Sequence, residues 1–103
     1  MAPDQIFRAL GDPVRLAIVG MLLDRDGQAL FEICTRLIAH GMSITRQGVA
    51  KHIAVLVDAG VVRAERDGRT TRHHLELDAL ATARRWFEPL PAPNPSRPTQ
   101  ETS

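Results

Sequence analysis

A single cysteine, Cys34, is all the thiol this chain has. That excludes an internal disulfide and suits a reducing cytoplasm. No apolar run nears the ~20 residues needed to cross a membrane. The opening Met1-Ala2-Pro3-Asp4 also lacks the basic start and apolar stretch of a signal peptide. The expectation is a cytoplasmic protein with no membrane partner. Catalytic signals are missing too: there is no glycine-rich phosphate loop, no pair of acids in a plausible cleft and no nucleophile with an assignable base. An enzyme gains no support, and no cofactor is expected. Nor is there an excess of one charge, since 13 basic against 12 acidic residues leave a formal net charge of +1. Overall charge therefore does not announce a polyanionic partner. The 103 residues leave room for one domain. So small a core is marginal alone, which makes dimerisation a reasonable way to bury more apolar surface.

What the chain does have is an uneven spread of that charge. Residues 43–74 hold six Lys/Arg against three Asp/Glu, or +3, and the remainder holds seven against nine, or −2. Inside the basic segment, Thr45-Arg46-Gln47-Gly48-Val49-Ala50-Lys51-His52, continuing into Ile53-Ala54-Val55-Leu56, reads as a two-faced helix. At 100° per residue, Val49, Ile53 and Leu56 form one apolar stripe, with Gln47, Ala50, Lys51 and Ala54 opposite and Arg46 at the flank. Hydrogen-bonding and cationic side chains separated by alanines, with no acid among them, suit a face that lies close against a polyanion. This is a candidate DNA recognition helix. Gly60 is placed as its left-handed cap. Two β-prone runs follow, Val61 to Arg66 and Thr70 to Leu77, on either side of Asp67-Gly68, a strong hairpin signal. Arg63, Arg66, Arg69 and Arg72 decorate them, partly offset by Glu65 and Asp67. A helix followed by an arginine-rich hairpin is the layout of a winged helix-turn-helix, whose wing grips the backbone or minor groove beside the helix.

The rest of the chain supplies the helices around this pair. The pattern predicts a short helix over Asp4 to Leu10, with Ile6, Phe7 and Leu10 on one side. A second over Pro13 to Asp24 follows the Asp12-Pro13 start signal and is apolar nearly all round, as a central buried helix would be. Residues 25–28 read as a polar loop. A third helix over Leu30 to His40 presents Ile33, Leu37 and Ile38 inward, and Ser43 or Thr45 caps the recognition helix. After the wing, Asp78 caps a last helix over Ala79 to Phe87, with Leu80, Ala83, Trp86 and Phe87 as its apolar side. The fold class expected is mainly α with a two-stranded β-wing (α+β). It divides into a domain over residues 1–88 and a tail over 89–103, which holds five of the seven prolines and is expected to be disordered.

Three segments together resemble the ArsR family of bacterial transcriptional regulators, over residues 5–88. "ALGDPVRLAIVGML" (Ala9 to Leu22) is similar to the family's opening helix pair, "TRQGVAKHIAVLVDAGVV" (Thr45 to Val62) to its recognition helix and first wing strand, and "RDGRTTRHHLEL" (Arg66 to Leu77) to its wing. The resemblance implies a homodimeric repressor whose first and last helices meet. Ile6, Phe7, Leu10, Leu80, Ala83, Trp86 and Phe87 would form that interface, and the two recognition helices would enter successive major grooves of a roughly palindromic double-stranded operator. An inducer, of unknown identity, would bind elsewhere and lower DNA affinity.

Arg46 and Gln47 are the candidate base readers, Arg for guanine and Gln for adenine; the competing reading is two solvated polar residues. Thr45 and Lys51 are candidate phosphate contacts. Gly48 suggests close approach of the backbone, and His52 is either a phosphate contact or structural. Arg66, Arg69 and Arg72 should bind phosphate or the minor groove, against the alternative of a plain solvated hairpin. Metal sensing departs from the family pattern: Cys34 stands alone in "FEICTRL", and the last helix has Asp78 and Glu88 but no histidine, short of the four donors zinc wants. His73 and His74, neighbours in a strand, point to opposite faces and are poorly placed to share one ion. No metal site is expected. Two alternatives stay open: a winged-helix module that binds protein, and a redox or small-molecule switch of the same class acting through Cys34 or an interface pocket.

Overall fold

The computed structural model describes residues 2–91, so the tail beyond Pro91 lies outside the described residues. The chain runs α1 (Pro3–Leu10), α2 (Pro13–Asp24), β1 (Gln28–Ala29), α3 (Leu30–Ala39), α4 (Arg46–Asp58), β2 (Val62–Asp67), β3 (Thr70–Leu75) and α5 (Leu77–Trp86). Local chemistry sets most of these boundaries. The Asp12 carboxylate accepts from the Val14 and Arg15 N–H groups at 2.9 and 3.1 Å, closing the start of α2 with Pro13 in its first turn. The hydrogen bond from the Arg15 N–H, helped by His52 and Val14, outweighs burial and holds this carboxyl below its ordinary pKa. At the far end of α4, the Val61 N–H reaches back to Leu56 O and the Gly60 N–H to Val57 O, with Gly60 at φ 75°. That is a Schellman stop, and it turns the chain straight into the wing.

One core joins all five helices to the sheet: Ile6 and Ala9 of α1, Ile18, Val19 and Leu22 of α2, Ile33 and Leu37 of α3, Val49, Ile53 and Leu56 of α4, Val62 and Leu75 of the strands, and Ala79 of α5. Each fully buried aliphatic side chain contributes roughly 1.5–3 kcal/mol. The shared core thus fixes how α4 is set against α3.

Several expectations need correction. The two-stranded wing is present as β2 and β3, but the sheet gains an unexpected third strand, in the order β1-β3-β2. Gln28, read as part of a polar loop, pairs with His73 and is 1% exposed. Its amide nitrogen donates to Met21 O and Arg25 O, while its buried Oε1 has no hydrogen-bond partner among the described residues. The hairpin is closed by Gly68-Arg69 rather than Asp67-Gly68, because Asp67 pairs with Thr70. Gly68 takes φ 62° at the first linking position, where a side chain would be strained. α5 begins at Leu77, so Asp78 sits inside its first turn and Glu76 occupies the cap position without capping through its side chain. Helix α2 is not buried all round, since Leu16 and Leu23 are exposed, and Ile38 of α3 also points outward. Ile6, expected at an interface between protomers, is 0% exposed within the core of one chain and so is not available to a partner.

Candidate nucleic-acid interface

Thr45 terminates the turn between α3 and α4 by accepting from the Gly48 N–H at 3.0 Å, which satisfies one of the open donors of the helix start. Arg46, Gln47, Ala50, Lys51 and Ala54 then emerge exposed, while Val49, Ile53 and Leu56 are buried. The exposed side of α4 carries no carboxylate before Asp58. Gly48 is explained by packing within the chain: a Cβ there would sit 3.1 Å from the Ile44 side chain and 3.3 Å from the Thr45 hydroxyl.

His52 lies on the flank of α4 that faces α2. Its Nδ1 is 3.2 Å from the Arg15 guanidinium and 3.6 Å from the Asp12 carboxylate. Arg15 in turn donates to Ala9 O at 2.6 Å and to Arg8 O, at the end of α1. This cluster ties α1, α2 and α4 together, so His52 has a structural role that needs no DNA. Nothing in the sequence pattern singled out Arg15; the only trace was its place after Asp12-Pro13.

The wing arginines differ sharply from one another. Arg63 is paired with Glu65 and Glu76, which raise its pKa. Arg72 donates to Asp67 at 2.9 Å and to Gly27 O at 3.1 Å, with Glu32 at 3.9 Å. Arg66 and Arg69 are exposed, and neither they nor Arg46 and Lys51 take part in an ion pair among the described residues. Arg72, counted as a DNA contact from sequence, is thus largely occupied in holding the wing to the body. The Asp26 carboxylate adds to that hold, accepting from the Leu75 N–H at 2.9 Å and meeting His74 Nδ1 at 2.7 Å. Burial alone would raise the Asp26 pKa, but these two hydrogen bonds prevail and lower it. His73 turns the other way, to Gln28 O.

Between the start of α3, the start of α4 and the wing tip runs a groove of about 400 Å³. Arg46 and Arg69 line it together, so the helix and wing cations that were separate in sequence share one site. Across the molecule, Phe7 meets Trp86 and Phe87 edge to face at centroid distances of 6.4 and 5.6 Å, joining α1 to α5. Trp86 and Phe87 remain 63% and 52% exposed. Leu10, Leu80 and Ala83 are half-buried against the core. Cys34 is half-buried on the core side of α3. Among the described residues no three His, Cys, Asp or Glu side chains gather as a metal site would require, and no helix is long and apolar enough to cross a membrane.

Residues 10–65 match the helix-turn-helix domain family. An uncharacterised HTH-type transcriptional regulator of Bacillus subtilis is 48% identical over 67 residues, covering 64% of this chain and 73% of its own length. The HTH-type transcriptional repressor SmtB of Mycobacterium tuberculosis is 34% identical over 90 residues, which cover 80% of this chain but 62% of that repressor. Among solved structures, an ArsR-like transcriptional regulator from Rhodococcus superposes with a TM-score of 0.70 at 29% identity, over 84% of this chain and 76% of the other. The homodimeric winged helix-turn-helix DNA-binding domain of a possible ArsR-family regulator from Mycobacterium bovis gives 0.62 at 25% identity, over 82% and 69%.

Proposed function

This chain belongs to the ArsR family of winged helix-turn-helix transcriptional regulators, and from that premise we propose that it is a cytoplasmic, homodimeric repressor acting on a roughly palindromic DNA operator. The observation that carries the reading is the outward face of α4, where Gln47 and Lys51 stand exposed between alanines and no acid precedes Asp58. Arg46 and Gln47 read base edges, and Thr45 and Lys51 hold phosphates. Arg66 and Arg69 add backbone contacts from the wing. The exposed Trp86 and Phe87, braced by Phe7, form the dimer face together with Leu10, Leu80 and Ala83. That surface leaves α4 free and lets two copies reach successive major grooves. A winged helix specialised for a protein partner would be expected to show an acidic or apolar α4 face, which this one does not.

The test is to titrate the protein onto the DNA upstream of its own gene and onto an unrelated duplex, at several salt concentrations. Selective binding that weakens steeply with salt is the expected outcome. Equal, weak binding to both duplexes would send the reading toward the protein-interaction alternative.

A further inference from the structure

Phe31 is the most exposed aromatic side chain among the described residues, at 70%. It stands one position out of phase with the buried stripe of α3, where Leu30, Ile33, Cys34 and Leu37 pack inward. A single exposed apolar side chain ordinarily needs no explanation. Its surroundings here call for one: Phe31 lines the groove shared by Arg46 and Arg69, with the Thr70 and Thr71 residues along the same wall and no acidic residue lining it. Both arginines are free of carboxylate partners among the described residues. An occupant of this groove therefore brings acceptors for two guanidinium groups, negative charge among them, and an apolar surface for one ring. A free phosphate answers only the first demand. A nucleic-acid strand answers both, because each anionic phosphate is followed by a deoxyribose ring with a hydrocarbon face.

Resting on the DNA-binding reading above, we propose that this groove seats one strand of the DNA backbone, with Phe31 packed against a deoxyribose next to a phosphate held by Arg69, where the strand passes Arg46 on its way to the base edges. The contact is blind to base sequence. It also differs from its arginine neighbours in releasing no counterion, since a neutral ring neutralises no phosphate. Phe31 therefore contributes affinity that salt does not remove.

That difference supplies the test. The full chain and its Phe31→Ala, Phe31→Leu and Arg69→Ala variants are titrated onto a random-sequence duplex and onto the best-bound selected duplex, over a range of salt. Phe31→Ala should weaken both complexes by roughly fivefold, a loss on the order of 1 kcal/mol, with the slope of log K against log salt unchanged. Arg69→Ala should lower that slope by about one. Phe31→Leu should restore most of the affinity. Thermal unfolding and the sedimentation dimer constant should match wild type, because the ring lies outside the core. Wild-type binding with Phe31→Ala unchanged would overturn the groove assignment alone. So would a loss that tracks weakened dimerisation, or gain of binding to an acidic peptide in place of DNA. A wild-type protein that binds neither duplex would overturn this proposal together with the DNA-binding reading.

Discussion

Arg46 and Lys51 leave the recognition helix bare, whereas two of the four wing arginines, Arg63 and Arg72, are held by carboxylates of the wing and its neighbours. The same residue type therefore does different work in two adjacent elements. On α4, Arg46 and Lys51 are exposed and take part in no ion pair among the described residues, which leaves them available for the proposed DNA contact. On the wing, Arg63 is tied to Glu65 and Glu76, Arg72 reaches Gly27 O and Glu32 of the body, and among the described residues Arg66 and Arg69 are without an ion pair. Exposed ion pairs of this kind add little to stability, but they cancel positive potential that a residue count would assign to the wing. On the function proposed above, the helix would be the reading element and the wing a brace with a cationic tip.

The sharpest way to break this comparison is at the helix. Arg46→Ala and Gln47→Ala should each cost about 1–3 kcal/mol on a selected site and relax base preference there. Lys51→Ala should weaken binding to all sequences about equally. Equal losses everywhere for all three would remove the distinction between reader and anchor, and competition binding on a panel of single-base variants decides it.

Next in size is the support of the helix itself. Thr45→Ala removes the side chain that accepts from the Gly48 N–H and should destabilise the fold by about 1 kcal/mol in urea unfolding.

The wing effect is smaller and more diagnostic. Arg69→Ala should lower affinity a few-fold and reduce the salt slope by about one, while Arg63→Ala should leave that slope unchanged. A reversal of the two would mean that the wing's ion pairs open on binding.

The smallest effect concerns acid. Asp12 is lowered chiefly by the Arg15 N–H, and Glu32 by the Ala29 N–H and then by Arg25. Both bind protons less readily folded than at their ordinary values of 3.8 and 4.5. Their contribution to stability is therefore complete above those values and is lost as pH falls through the lower folded ones. Urea unfolding from pH 7 down to pH 3 should show this decline, and Asp12→Asn should flatten part of it.

How much of this was readable in the chain depended on the range of the interaction. Asp12-Pro13 marked the start of α2, and Gly60 the end of α4, because caps are chemistry between residues a few positions apart. Strand β1 escaped notice because two residues show no periodicity and its partner, His73, is 45 positions away. The apolar pattern of α2 and α3 told that they pack, but not that Leu16, Leu23 and Ile38 face outward in one chain. Periodicity does not distinguish a core from a surface awaiting a partner. Of the site, the α4 face was legible because a helix displays its own sequence every 100°. Which wing arginines are free was not, because Asp67 meets Arg72 only through the register of the hairpin, and Gly27 only once the wing docks on the loop after α2. Phe31 had a faint signal, a large aromatic out of phase with its own helix, whose meaning needed Arg46 and Arg69 beside it.

The central claim is that α4 reads DNA sequence as one half of a symmetric pair. Selection of bound duplexes from a random-sequence library by the full-length wild-type protein tests it most directly. The account predicts an enriched motif of two inverted half-sites whose centres lie about one helical turn apart. Recovery of no motif, with uniform binding across the library, would contradict it.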